Sequence, residues 1–434
     1  MITVGFDFGT HQTKICYETV ESGTVFYDVF KFAGAGGKSN LTLPSFIRHY
    51  PDDSLRYGYD ALNDIRGSQA ITYFKQVMFS WTCGEKDRIE AEQWSVLYLA
   101  FIIFQLDRKF KPGSYIIQMG MPTDANPVHY NFTKRQAIKV MASAMLIVRN
   151  VFKGNLEAYL ATPHRQLVEV AKKCMGVIPE DVKEARKRFP VFVFPEAYAS
   201  LIPLIKDRKL PKVGPNLFVD IGGGTVDVSF FTNQIDEGYR CPHLYYYFSI
   251  PYGLNMITNQ DVRKSHNVMI GKEEITTRRI NQFRSQLVHA LNQMMQVLKR
   301  QYEEMDRSLV MPFTNLCAQI LEGRPVCYSG GGSVFRDLQL PVENCGNGIR
   351  YNFSHVATVS QLIDHSKLYV KDEMFHVLAT AFALSKRSLQ NEMFKSDVDE
   401  IRLVSLNKLF EGVHNPIGVG QVEFTSRGRR RWSW

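Results

Sequence analysis

Two stretches of this chain echo one another about half its length apart. Val4-Gly5-Phe6-Asp7-Phe8-Gly9-Thr10 and Leu217-Phe218-Val219-Asp220-Ile221-Gly222-Gly223-Gly224-Thr225 each read as an apolar strand, an aspartate, an apolar residue, glycine and then threonine. An acid inside an otherwise apolar strand needs a partner. Glycine after it permits a tight turn and close approach of a ligand to the bare backbone. Two such elements, so far apart, predict two similar lobes, each offering a glycine turn between strands.

The rest of the chain fits that plan. Strands are expected at Ile2–Phe8, Thr24–Phe30, Tyr115–Met121, Val191–Phe194, Leu217–Ile221, Val226–Phe231, His243–Ile250 and Val326–Ser329. Several are continuous apolar runs, the signature of strands buried on both faces. Helices are expected at Ala91–Lys109, Thr133–Asn150, Pro163–Cys174, Glu196–Lys206, Glu273–Asp306 and Glu373–Lys386, the long run at 273–306 with room for a break. Strands interspersed with helices predict an α/β architecture.

Composition narrows the class. The chain has 434 residues, 45% hydrophobic and 22% charged, which excludes disordered and collagenous chains. Its longest apolar run, Val96–Phe104, is nine residues. A membrane span needs about 20, so none is expected. The start carries Asp7 within its apolar stretch and no basic segment, unlike a secretory leader. Seven cysteines without a CxxC pair argue against a disulfide framework or structural zinc, and a reducing cytoplasm is expected. Of the net charge of +9, four charges belong to Arg427, Arg429, Arg430 and Arg431 in the final RGRRRWSW. That tail is a candidate contact for nucleic-acid or membrane phosphates, but a solvated end is the expected reading.

The glycine turns carry the chemistry. Consecutive amides in such a turn form an anion-binding concavity. Taken alone, GGGT is equally a tight hairpin turn. A carboxylate beside phosphate is unfavourable, by about 4 kcal/mol at 4 Å and an effective dielectric of 20. Acids beside phosphate-binding glycines therefore point to a hard cation between them, with waters bridging to the carboxylates. Asp7 and Asp220 are the candidates; Asp227 is equally a turn or ladder residue.

The two loops resemble the phosphate 1 and phosphate 2 motifs of the actin-like ATPase superfamily, most closely the nucleotide-binding domain of DnaK-type heat-shock chaperones. GFDFGTH is similar to "GIDLGTT" and DIGGGTVDVS to "DLGGGTFDVS". In the family's order, Pro195–Ser200 resembles the first connecting helix, Ser329–Ser333 the adenosine motif, and Phe375–Ala383 the second connecting helix. Met121-Pro122 with Lys134–Ala137 resembles its "VP…RQA" stretch, and Lys75 falls where that family carries a lysine near the γ-phosphate. A solvated helix-face lysine is the lesser alternative for Lys75.

The resemblance implies an α/β two-lobed actin/DnaK-like ATPase fold of duplicated ribonuclease-H-like lobes with inserted subdomains. Lobe I would span 1–195 with an insertion near 39–112. Lobe II would span 196–390 with an insertion near 253–325, and 391–434 would form a C-terminal extension. It implies ATP/ADP and Mg²⁺ as ligands. Asp7, Glu196 and Asp220 would hold Mg²⁺, mostly through water, with Lys75 and Thr225 completing the catalytic set. Gly9, Thr10, His11, Gln12, Gly222, Gly223 and Gly224 would line the phosphates; Gly330, Gly331, Gly332 and Ser333 would admit the adenosine. The Pro122 region would relay nucleotide state between lobes.

Departures limit what carries over. His11 and Gln12 replace small or aromatic residues, Ala197 replaces a proline, and the 273–306 segment lacks a clear "ERAK" adenine clamp. No "VLLLD" linker is present, and about 45 residues follow the second connecting helix, so peptide refolding of the standard chaperone kind is not expected. The expected activity is slow ATP hydrolysis as a switch for a protein partner in a chaperone-like ATPase. The alternatives are an actin-like filament that acts by self-association, and a small-molecule kinase of the same superfamily.

Overall fold

The computed structural model describes residues 1–33, 39–64, 68–123, 127–206, 215–236, 239–250, 252–254, 257, 276–305, 324–344, 351–353, 355–389, 422–424 and 430–432. The chain divides into two compact units. One comprises Met1–Ser200, Ser366–Val370 and Leu378–Glu400; the other comprises Leu201–His365, Lys371–Val377 and Ile401–Trp434.

The first unit is built on β1 (Ile2–Phe8), β2 (Gln12–Glu21), β3 (Thr24–Val29), β4 (Tyr115–Met121) and β5 (Val191–Pro195). Their order is β5-β4-β1-β2-β3, with Thr42–Pro44 added beside β2. β1, β2 and β3 run antiparallel in sequence, while β4 and β5 join β1 in parallel. Central β1 is buried from Thr3 to Phe8, which is why it reads as a continuous apolar run. Gly5 within it answers to packing: a Cβ there would run into the backbone of Ala381 and Ser385 on helix Asp372–Ser385. The core helices are α1 (Phe74–Phe79), α2 (Glu85–Lys109), α3 (Pro127–Leu146) and α4 (His164–Gly176). The chain then enters α5 (Glu196–Lys206).

The second unit repeats the scheme with β6 (Pro215–Ile221), β7 (Val226–Asp236), β8 (Tyr239–Ile250), β9 (Pro325–Ser329) and β10 (His355–Thr358). Their order is β8-β7-β6-β9-β10. Again the first three are antiparallel neighbours and the last two are parallel to the central strand. Helix α6 (Thr277–Met305) lays Phe283, Leu287, Leu291, Met294 and Met295 against this sheet's core. Among the described residues of this run no break appears: neither glycine nor proline interrupts residues 277–305, and one apolar stripe docks along the helix. Helix α7 (Asp372–Ser385) closes the main fold.

Each unit thus carries the ribonuclease-H-like strand arrangement expected of the two lobes, with matching order and direction in the two five-strand paths. The expected strands all form. The sequence pattern missed β2, which carries Lys14, Glu18 and Glu21 among its apolar residues, and the four-residue β10. α3 starts earlier than expected, at Pro127, a residue suited to a first helical turn, and it passes at Leu146 into a π-helical turn, Ile147–Val151. Most of the insertion expected near 253–325 and of the extension at 391–434 lies outside the described residues, as do Arg427 and Arg429. No helix among the described residues is long and apolar enough to cross a membrane.

Candidate functional site

In the first unit, the β1–β2 hairpin positions Asp7. Ladder register sets it opposite Lys14, and Lys14 Nζ donates to Asp7 Oδ2 at 2.9 Å. The carboxylate is nearly buried, so the ammonium supplies the partner that an acid in an apolar strand requires. Gly9 makes the turn possible, since a Cβ there would collide with the Gln12 carbonyl. Ser45 braces the loop: its hydroxyl donates to the Gly9 carbonyl at 2.7 Å and its amide to the His11 carbonyl at 2.8 Å. Thr10 is half-buried beside them, and Gln12 opens β2 in pairing with Pro44. His11 is buried edge-on to Tyr73, ring centroids 5.0 Å apart.

Tyr73 precedes α1 with φ +59°, a left-handed turn that starts the helix carrying Lys75. Lys75 is buried, which excludes the solvated helix-face reading. Its Nζ donates to Glu196 Oε1 at 2.6 Å and lies 5.9 Å from the Phe8 ring centroid. Glu196 is the first residue of α5, whose Ala197 amide donates to Thr123 Oγ1 at 3.1 Å. The first unit therefore gathers Asp7, the Gly9–Gln12 turn, Lys75 and Glu196, with each of the two carboxylates meeting a lysine.

In the second unit, the β6–β7 hairpin sets Asp220 opposite Asp227, the same seven-residue offset as Asp7 and Lys14. Gly222 closes the turn by donating to the Thr225 carbonyl at 2.9 Å. The following loop holds it from behind: Gly253 N donates to Gly224 O at 3.1 Å and Leu254 N to Gly222 O at 2.9 Å. Asp227 accepts from Tyr247 Oη at 2.7 Å and from Thr225 Oγ1 at 3.3 Å, so it is tied into the sheet. Cys327 lies on β9, in the strand beside Asp220, and burial followed by the Asp220 charge pushes its thiol far above the ordinary range.

The glycines after β9 come to the same place. Gly330 has φ +81°, and a Cβ on it would strike Asp220 Oδ1; a Cβ on Gly332 would strike Ile221. The second unit thus brings together Asp220, Gly222–Thr225 and Gly330–Ser333.

Sequence reasoning missed a buried relay behind these glycines. Ser333 Oγ donates to the Gly330 carbonyl at 2.7 Å, and His376 Nδ1 stands 2.6 Å from Ser333 Oγ. With its proton spent, Ser333 Oγ accepts, so Nδ1 carries the imidazole proton and Nε2 accepts from Ser360 Oγ at 3.0 Å. Burial lowers the His376 pKa to about 4, with the Asp372 charge opposing and His365 assisting. Lys14 was also missed, although its offset from Asp7 equals that of Asp227 from Asp220 and was there to be read.

No protein-family model matches the chain, and no curated protein matches it. Among solved structures, MreB5 of Spiroplasma citri bound to AMPPNP aligns at 14% identity over 91% of this chain and 98% of that one, with a TM-score of 0.39. The same protein bound to ADP aligns at 14% identity over 91% and 99%, with a TM-score of 0.40.

Proposed function

We propose that this chain binds Mg-ATP and hydrolyses it slowly, using nucleotide state as a switch in the manner of actin-like ATPases. One observation carries the reading: two sheets of the same topology each end their central strand in an acid and a glycine turn, Asp7 with Gly9 and Asp220 with Gly222–Gly224. In this reading Gly9, Thr10, His11 and Gln12 and Gly222–Thr225 receive phosphate oxygens, and Gly330–Ser333 admits the adenosine. The acids suit Mg²⁺ in type, because hard oxygen donors are what that ion selects. Of these acids, Asp7 pairs with Lys14 and Glu196 with Lys75. Asp7, Glu196 and Asp220 would hold the ion, mostly through water, and bound Mg²⁺ would offset phosphate charge. Titration calorimetry should show Mg²⁺-dependent binding of ATP and ADP; no heat with folded protein removes the proposal.

Self-association is the output we place first, and a protein partner second. Lys75 sits where the chaperone-type family carries a lysine, but Glu196 engages it within its own unit, so it does not separate the two. High-speed sedimentation with ATP, ADP and no nucleotide distinguishes them. ATP-dependent pelleting with filaments in electron micrographs supports self-association. A small species that captures one protein in a single nucleotide state supports the partner reading. A burst of ADP that depends on an added sugar would instead favour a small-molecule kinase.

A further inference from the structure

Away from the glycine turns, the first unit gathers His49, Asp53 and His164, whose nearest donor atoms all lie within 4.8 Å of one another. His49 ends the strand Ile47–His49, and Asp53 occupies the turn before Leu55–Tyr57 with φ +65°, a conformation that aspartate tolerates. His164 opens α4. The backbone docks these pieces: His164 N donates to the Asp53 carbonyl at 2.7 Å, and Arg165 N to Asp53 Oδ2 at 3.3 Å. Asp53 is thereby divided. Oδ2 faces Arg165, while Oδ1 faces both imidazoles, 3.0 Å from His49 Nε2 and 3.9 Å from His164 Nδ1.

Those separations bracket the roughly 3.4 Å expected between donors about 2.0–2.1 Å from a tetrahedral ion. The His164 ring is fixed for such a role. It stacks on Trp94 with centroids 4.4 Å apart and planes 3° from parallel. Hydrogen bonding does not account for its placement: among the described residues Nε2 is buried without a partner, and Nδ1 at 3.9 Å is beyond hydrogen-bond reach of Asp53. The three side chains are each about one-fifth to one-quarter exposed, so solvent and ions can reach them.

We propose that His49, Asp53 and His164 form a divalent transition-metal site of the zinc type, with water completing the coordination. Two imidazole nitrogens and one carboxylate oxygen suit Zn²⁺ or Co²⁺; Mg²⁺ and Ca²⁺ prefer oxygen alone. The ion would staple the hairpin of Ile47–His49 and Leu55–Tyr57 to the start of α4, far away in sequence. This site is independent of the nucleotide reading.

The test uses the full chain stripped with EDTA and titrated with Co²⁺ alone. Visible d–d bands should saturate at one Co²⁺ per chain, without the thiolate charge-transfer band that cysteine ligation would add, and Zn²⁺ should bleach them. His49→Gln, Asp53→Asn and His164→Gln should each weaken Co²⁺ binding at least tenfold. Zn²⁺ should raise the thermal midpoint of wild type and not that of the variants. Circular dichroism in EDTA checks folding; if His164→Gln does not fold, the substitutions at the quarter-exposed His49 and Asp53 carry the test. A folded wild type without d–d bands overturns the proposal. So does binding that shows a thiolate band, or binding that the folded variants leave unchanged.

Discussion

Lys75 Nζ lies 2.6 Å from Glu196 Oε1, and the two ends of this pair differ in solvent access: the lysine side chain is 6% exposed, the glutamate 26%. Removing one partner of a buried pair strands the other, and the cost follows how deeply the survivor is buried. Glu196→Ala should therefore destabilise the protein more than Lys75→Met, by about 3 kcal/mol against about 1. The double variant should cost less than the sum. Urea unfolding of the four proteins measures the cycle; equal single-variant costs would contradict the asymmetry.

The same lysine bears on turnover. Under the proposed ATPase reading, Lys75→Ala and Asp220→Ala should slow single-turnover hydrolysis tenfold or more, about 1.4 kcal/mol of barrier, with folding retained. Rates equal to wild type in both variants would remove these residues from the chemistry.

Two adjacent glycines should respond very differently to alanine. Gly330 combines φ +81° with a would-be Cβ against Asp220 Oδ1, so Gly330→Ala should lose about 3 kcal/mol or more. Gly331 has no positive φ, and its nearest neighbour to an added Cβ is Val377 Cγ2 at 3.9 Å. Gly331→Ala should stay within about 0.5 kcal/mol of wild type. Thermal melts of both variants check the contrast.

His376 should make stability fall in mild acid. Its folded pKa of about 4 lies below the ordinary 6.5, so between those values the unfolded chain binds the extra proton. Stability from this group is complete above about pH 6.5 and is lost as pH falls toward 4; between pH 7 and pH 5 the loss is about 2 kcal/mol. Asp372 and His365 face the same ring and are part of this balance. Denaturation midpoints at the two pH values should diverge for wild type and converge for His376→Gln. A variant with the wild-type slope would place the titration elsewhere.

Most of the scaffold was legible because its signals are local. The apolar runs of β1, β4 and β6 announce buried strands, and glycine after Asp7 and Asp220 announces turns with carboxylates at strand ends. β2 escaped because Lys14, Glu18 and Glu21 interrupt its apolar run. Glu18 is buried and accepts from the Arg387 amide, a partner that no local pattern reveals.

By itself the sequence determined the two-fold plan, because duplication of an acid, a glycine turn and their flanking strands is written in residue types and spacing. Tertiary structure decided which charges meet. Hydrogen-bond register put Lys14, not solvent, against Asp7, and put Asp227 at the matching place against Asp220. Packing brought Lys75 to Glu196, His376 to Ser333, and His164 to His49 and Asp53, across separations over which sequence carries no geometric information. The reason is physical: local propensity fixes the path of a strand or turn, whereas burial makes a polar group find a partner, and only the folded chain determines which one is in reach.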